Sequence, residues 1–209
     1  MKKLTSYHLK WIALVTMTID HIGYFLFPRY KILRIIGRIA FPLYAFLCAE
    51  SYHYTRSREK YLLRLLVFGG LMEIVLQMVE PGASANIFLT LASGFALLWC
   101  MEGKQPLCLA IAILGLILKV DYGWYGIVMI PVMYYCKDRL WILSGLLPVL
   151  THAYIKTSWC ADTQYYSVVA VLILMLYNGK KGYSSKFMKW FFYAYYPVHV
   201  AILASISMF

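Results

Sequence analysis

An imidazole next to a carboxylate, set inside an apolar segment, is the first feature of this chain that could do chemistry. Residues 10–24 read KWIALVTMTIDHIGY, with Asp20 and His21 adjacent near the far end. A helix rises about 1.5 Å and turns about 100° per residue, so Lys10 and His21 share one face about 16 Å apart. Thr18 and Tyr24 lie on that face too, and Asp20 stands about 100° round, close enough to bias its neighbour without stacking on it. A carboxylate beside an imidazole orients it and supports its charged form, as a general base requires.

Three more ionisable positions sit inside apolar segments. Arg38 lies in GRIAFPLYAF, one turn from Arg34; Glu73 lies in LLRLLVFGGLMEIVLQMV, one turn before Gln77; His199 lies in YAYYPVHVAIL and shares a face with Tyr195 and Tyr196. Ionisable groups at membrane depth are costly and usually face a bundle interior or a wet cavity, so these positions mark a candidate site. Each also has a plain structural reading. Arg38 and Glu73 could form a buried ion pair, and His199, just after Pro197, could cap carbonyls freed by a kink.

The elements that must hold these groups are membrane helices. The 209 residues are 62% hydrophobic and 14% charged, with a mean hydropathy of +0.67, far from a soluble globular domain. Nine apolar spans are expected, with a range of 7 to 10: 8–27, 32–52, 61–79, 86–101, 106–120, 123–136, 140–156, 165–178 and 188–207. They make an all-α polytopic bundle and a single domain, 1–209, without repeats or low-complexity tracts. The first span, followed by Pro28-Arg29-Tyr30 and no small-residue cleavage site, reads as a retained anchor.

Orientation follows from charge. With the N-terminus cytoplasmic, fourteen of the twenty Lys and Arg residues fall on inner segments: Lys2, Lys3, Lys10, Arg56, Arg58, Lys60, Arg64, Lys104, Lys137, Arg139, Lys180, Lys181, Lys186 and Lys189. The net charge of +11 could suggest nucleic acid, but the charges flank apolar segments and form no continuous groove, so no nucleic-acid partner is expected. The five cysteines, Cys48, Cys100, Cys108, Cys136 and Cys160, lack metal spacing and read as small buried hydrophobes, so no metal is expected. In HYTRSREKYLLRLL, the residues Arg56, Arg58, Lys60 and Arg64 are either a solvated inner loop or contacts for phosphates, of a cytosolic donor or of anionic headgroups.

The strings IALVTMTIDHIGYFLFP, LRIIGRIAFPLYAFLCAE, HYTRSREKYLLRLL, NIFLTLASG, DYGWYG and FYAYYPVHVAIL run in order over nearly the whole chain and resemble the TraX family. Its namesake is associated with N-terminal acetylation of conjugative pilin. The family resembles in turn the broader transmembrane acyltransferases, including acyltransferase-three proteins, which commonly carry Arg or Lys eleven positions before a His on the first helix, as Lys10 and His21 stand here.

The resemblance implies acetyl transfer across a bacterial inner membrane, from cytosolic acetyl-CoA to an amine or hydroxyl on the outer side, a protein N-terminus or a surface glycan. By the same resemblance His21 would be base or acyl carrier, and Asp20 would orient it. Arg38 and His199 would stabilise the thioester oxyanion or position pantetheine, and Glu73 would balance Arg38 or receive a proton. Lys10, Tyr195 and the basic residues at 56–64 would meet the donor. Two other classes compete: a small proton-coupled transporter, which inverted repeats would favour and none is found, and a non-catalytic assembly factor for surface structures.

Overall fold

A computed structural model of the chain describes residues 3–82, 85–103, 106–158 and 162–207. Lys2, Lys104 and Cys160 lie outside them. The elements run α1 (Ser6–Phe25), α2 (Lys31–Gly37), α3 (Ala40–Tyr54), α4 (Arg58–Val79), α5 (Ile87–Gly103), α6 (Pro106–Ile117), α7 (Gly123–Cys136), α8 (Leu140–Ser158), a 3-10 helix (Asp162–Val169), α9 (Ala170–Met175) and α10 (Lys186–Ser207). Since α2 leads into α3 and the 3-10 helix into α9, the described residues form nine helical stretches. All nine coincide with the segments expected from hydropathy.

Two details depart from the expected bounds. The span expected at 32–52 is broken at Arg38 and Ile39. Pro42 explains the break: it has no N–H for the carbonyl of residue 38, and its ring crowds that carbonyl, so the helix ends there and restarts with proline in its first turn. The eighth stretch begins at Asp162 rather than 165 and opens as a 3-10 helix.

The helices fall into two compact units. One combines residues 1–47 with 136–209 and therefore holds α1, α2, α8, the 3-10 helix, α9 and α10. Here α1 packs on α2 and α10, and the 3-10 helix packs on α2, α8 and α9. The start of α1 is stapled to the segment before α10. Leu4 N–H donates to the Leu176 carbonyl at 3.0 Å and Asn178 N–H to the Leu4 carbonyl at 2.9 Å. Ser6 and Tyr7, whose N–H groups have no partner within their own helix, donate to the carbonyls of Lys180 and Lys181 at 2.9 and 3.1 Å. Thr5 caps α1 through a reciprocal pairing with His8. Gly182 sits at φ +72°, where a side chain would be strained and would strike Thr5.

The second unit is the continuous stretch 48–135, in which α4 packs on α5 and α5 on α6. Asn86, buried at its centre, donates to the Gly69 carbonyl at 2.8 Å and to Glu73 at 3.1 Å. Along α4 the side chains Leu63, Val67, Leu71, Ile74 and Met78 are exposed; spaced by three or four residues, they form one outward apolar stripe. Lys31–Tyr54 and Arg58–Val79 are the two stretches long and apolar enough to cross a membrane, among the described residues.

Candidate functional site

The site is built where α1 meets α10. His21 Nδ1 lies 2.7 Å from His199 Nε2. His199 is buried, and its Nδ1 lies 2.8 Å from the carbonyl oxygen of Tyr195, one turn back. A carbonyl only accepts, so Nδ1 of His199 carries a proton. In the neutral ring Nε2 then holds a lone pair, and His21 Nδ1–H must be the donor across the pair. His21 Nε2 is left with the free lone pair, and no described residue bonds to it.

A ring whose one nitrogen is fixed by an acceptor and whose other is free has the arrangement of an oriented general base. The orienting partner here is His199. The Tyr195 ring stacks on His199 at 4.8 Å between centroids and 17° between planes, and its hydroxyl lies 2.9 Å from Thr18 Oγ1. Thr18 in turn donates to the Leu14 carbonyl at 2.8 Å, so the Tyr195 hydroxyl donates to Thr18.

Asp20 faces the neighbouring side of α1, toward α2. Its Oδ2 takes Arg34 Nη1 at 2.7 Å and its Oδ1 takes Arg38 Nη2 at 3.0 Å. One carboxylate against two guanidiniums leaves a net positive cluster, and His21 lies within range of both cations. The approach is close: a Cβ on Gly37 would strike the Asp20 side chain. Arg38 Nε donates to the Arg34 carbonyl at 3.2 Å, and Nη1 to Gln164 Oε1 at 3.3 Å. Gln164, on the 3-10 helix, is fully buried, and its Nε2 has no hydrogen-bond partner.

Set against the sequence expectations, the structure brings together His21, His199, Tyr195 and Thr18, and separately Asp20, Arg34 and Arg38. Asp20, expected to bias its neighbour His21, is paired with the two arginines. Glu73 belongs to the second unit, where it accepts from Gln77 Nε2 at 2.9 Å and Asn86 Nδ2 at 3.1 Å. Lys10 rests over the Phe192 ring at 5.7 Å. Arg58 and Arg64 lie over the rings of Tyr52 and Tyr61 at 4.2 and 5.6 Å, while Arg56 and Lys60 are exposed. Two participants escaped the sequence reading: Arg34 as a partner of Asp20, signalled only by its place one turn before Arg38, and Gln164, which no spacing marked. Among the described residues no group of His, Cys, Asp and Glu could hold a metal ion.

The fold and site define an all-helical chain in which the first and last helices supply a histidine pair beside an acid–arginine cluster. The family model described as TraX protein matches residues 6–207, so the chain belongs to the TraX family. It is similar to a probable fimbrial assembly protein, FimC of serogroup H1, from Dichelobacter nodosus, with 27% identity covering 98% of this chain and 96% of that protein. It is similar also to Protein TraX of Escherichia coli, with 26% identity covering 96% and 86% of the two chains. An uncharacterised protein of Rickettsia prowazekii shares 39% identity over 66 residues, 32% of this chain and 25% of that one. No solved structure matches.

Proposed function

We propose that this protein is a membrane-embedded acyltransferase that moves an acetyl group from acetyl-CoA to an amine or hydroxyl acceptor. The observation that carries the reading is the oriented pair His21–His199, with its lone pair on His21 Nε2. In the reaction the acceptor N–H or O–H gives its proton to His21 Nε2 while its lone pair adds to the thioester carbonyl carbon. The C–S bond then breaks, and the thiolate leaves with that proton as the CoA thiol. His21 can pass charge to His199 through their shared hydrogen bond, so the imidazolium is spread over two rings. Asp20, Arg34 and Arg38 set a positive potential beside the carbonyl oxygen.

The bilayer is the proposed setting. An exposed apolar stripe on α4, and exposed Phe187, Val198, Ile202 and Ile206 on α10, suit hydrocarbon rather than water. The charge bias proposes a cytoplasmic N-terminus in a bacterial inner membrane. Lys10, on the same face of α1 as His21, is proposed to meet the donor's phosphates.

The printed name of the Dichelobacter relative, a fimbrial assembly protein, and the family's association with pilin favour a subunit of a surface appendage as acceptor over a glycan. The deciding experiment follows CoA thiol release from acetyl-CoA by the purified chain, wild type against His21→Ala, with both checked for monodispersity. Release lost only in the variant supports acyl transfer. A wild type that neither binds nor cleaves acetyl-CoA refutes it.

A further inference from the structure

Gln164 is fully buried and bonded on one side of its amide alone. Arg38 can only donate, so the amide oxygen of Gln164 must face the guanidinium, which settles the orientation of the whole amide. The Nε2 group is thereby turned the other way, fully buried and without a partner. Buried donors are paired in nearly all native structures, and an exception calls for an explanation, of which a catalytic role is one. Donation from Arg38 into Oε1 also polarises the amide and makes its N–H the stronger donor.

We infer that Gln164 is a further residue of the site, its Nε2–H donating to the carbonyl oxygen of the thioester. This rests on the acyl-transfer reading above. When the acceptor's lone pair adds to the carbonyl carbon, the C=O π pair moves onto oxygen; when the C–S bond breaks, it returns. The Nε2–H meets that oxygen while the charge is there. A neutral amide suits the task next to two arginines, because it can be aimed without adding a second carboxylate to compete for them. Its position on a 3-10 helix that packs on both α2 and α8 fixes it from two sides.

The test compares wild type, Gln164→Leu and Gln164→Glu as full-length chains, reading acetyl-CoA cleavage and melting temperature. Loss of one such donor is expected to lower kcat about 10²-fold with KM for acetyl-CoA little changed, because the interaction strengthens only as charge develops. Gln164→Leu removes the unpaired Nε2–H but also the acceptor of Arg38 Nη1, so its melting temperature should fall modestly, and kcat must fall beyond what that loss of stability explains. A leucine variant that melts lower yet keeps its kcat makes the amide structural and overturns the inference. If the leucine variant is not monodisperse, Gln164→Glu, which keeps the shape and the Arg38 contact, carries the test, and wild-type kcat there overturns it. Wild-type turnover unchanged in both variants removes Gln164 alone, whereas a wild type that cleaves no acetyl-CoA removes the acyl-transfer reading and this inference with it.

Discussion

His21 and His199 meet at 2.7 Å, Nδ1 to Nε2, across 178 positions of sequence. The contact fixes which nitrogen of each ring carries the proton, because the far side of His199 is bound to a carbonyl. On the proposed function, two rings so coupled act as one base. Replacing either His21 or His199 with alanine should therefore lower the rate of acetyl-CoA cleavage by about 10²- to 10⁴-fold, and the double variant should be little slower than either single one. Steady-state rates of the three variants check this. Additive losses would mean that the rings work separately.

The acid–arginine cluster leads to a stability prediction. Asp20 is mostly buried, at 15% side-chain exposure, and neutralises Arg38, at 11%. Asp20→Asn strands the buried guanidinium and should destabilise the fold by about 3 kcal/mol, read from melts in detergent. Adding Arg38→Met should restore part of the loss, because the stranded charge is gone. An undiminished melting temperature for Asp20→Asn would show that the pair contributes nothing.

Glycines separate close approach from mere flexibility. Gly37→Ala should cost about 1–3 kcal/mol, since its Cβ strikes Asp20 and the carboxylate is held by two arginines. Gly70→Ala, with nothing within 4 Å of the new methyl, should be neutral or stabilising by up to about 1 kcal/mol. Paired thermal melts of the two variants test the contrast.

Tyr195 offers a test of positioning. Tyr195→Phe keeps the ring on His199 and loses only the bond to Thr18, a cost of about 1 kcal/mol in stability with kcat nearly retained. Tyr195→Ala removes the stacked ring and should lower kcat while leaving KM for acetyl-CoA close to wild type. Equal rates for both variants would leave the stack without influence on His199.

Placement in a bilayer predicts the effect of charge on α4. Leu71→Lys puts an ammonium in the middle of the exposed apolar stripe, at a cost of about 2.5–3.5 kcal/mol where that face meets hydrocarbon. Reduced insertion into inverted membrane vesicles would be the readout. Wild-type insertion, with improved solubility in the absence of detergent, would argue for a face in water.

The periodic features were legible in the sequence. Nine apolar runs became nine helical stretches among the described residues, and spacing placed Thr18 with His21 and Tyr195 with His199, because helical geometry alone fixes which side chains share a face. Which helices meet was not legible. Asp20 is adjacent to His21 in sequence, but adjacency on a helix points the two side chains about 100° apart, and Asp20 went to Arg34 of α2 and to Arg38 just beyond it. The break at Arg38 was written in Pro42 and hidden by the continuous apolarity around it. Gln164 carries no periodic signal at all, and its hydrogen-bond partner Arg38 stands 126 positions away.

The staple that joins Leu4, Ser6 and Tyr7 to residues 176–181 has a consequence for timing during synthesis. Helix α1 leaves the ribosome first, and the strands of backbone that complete its opening turn arrive about 170 residues later; at about 5–20 residues per second that is a wait of roughly ten to thirty seconds. Throughout it the cluster of Asp20, Arg34 and Arg38 can already close, while His21 has no ring to face. A polypeptide arrested before residue 199 can thus close its acid–arginine cluster but not its histidine pair, so on the proposed function incomplete translation products would be inactive.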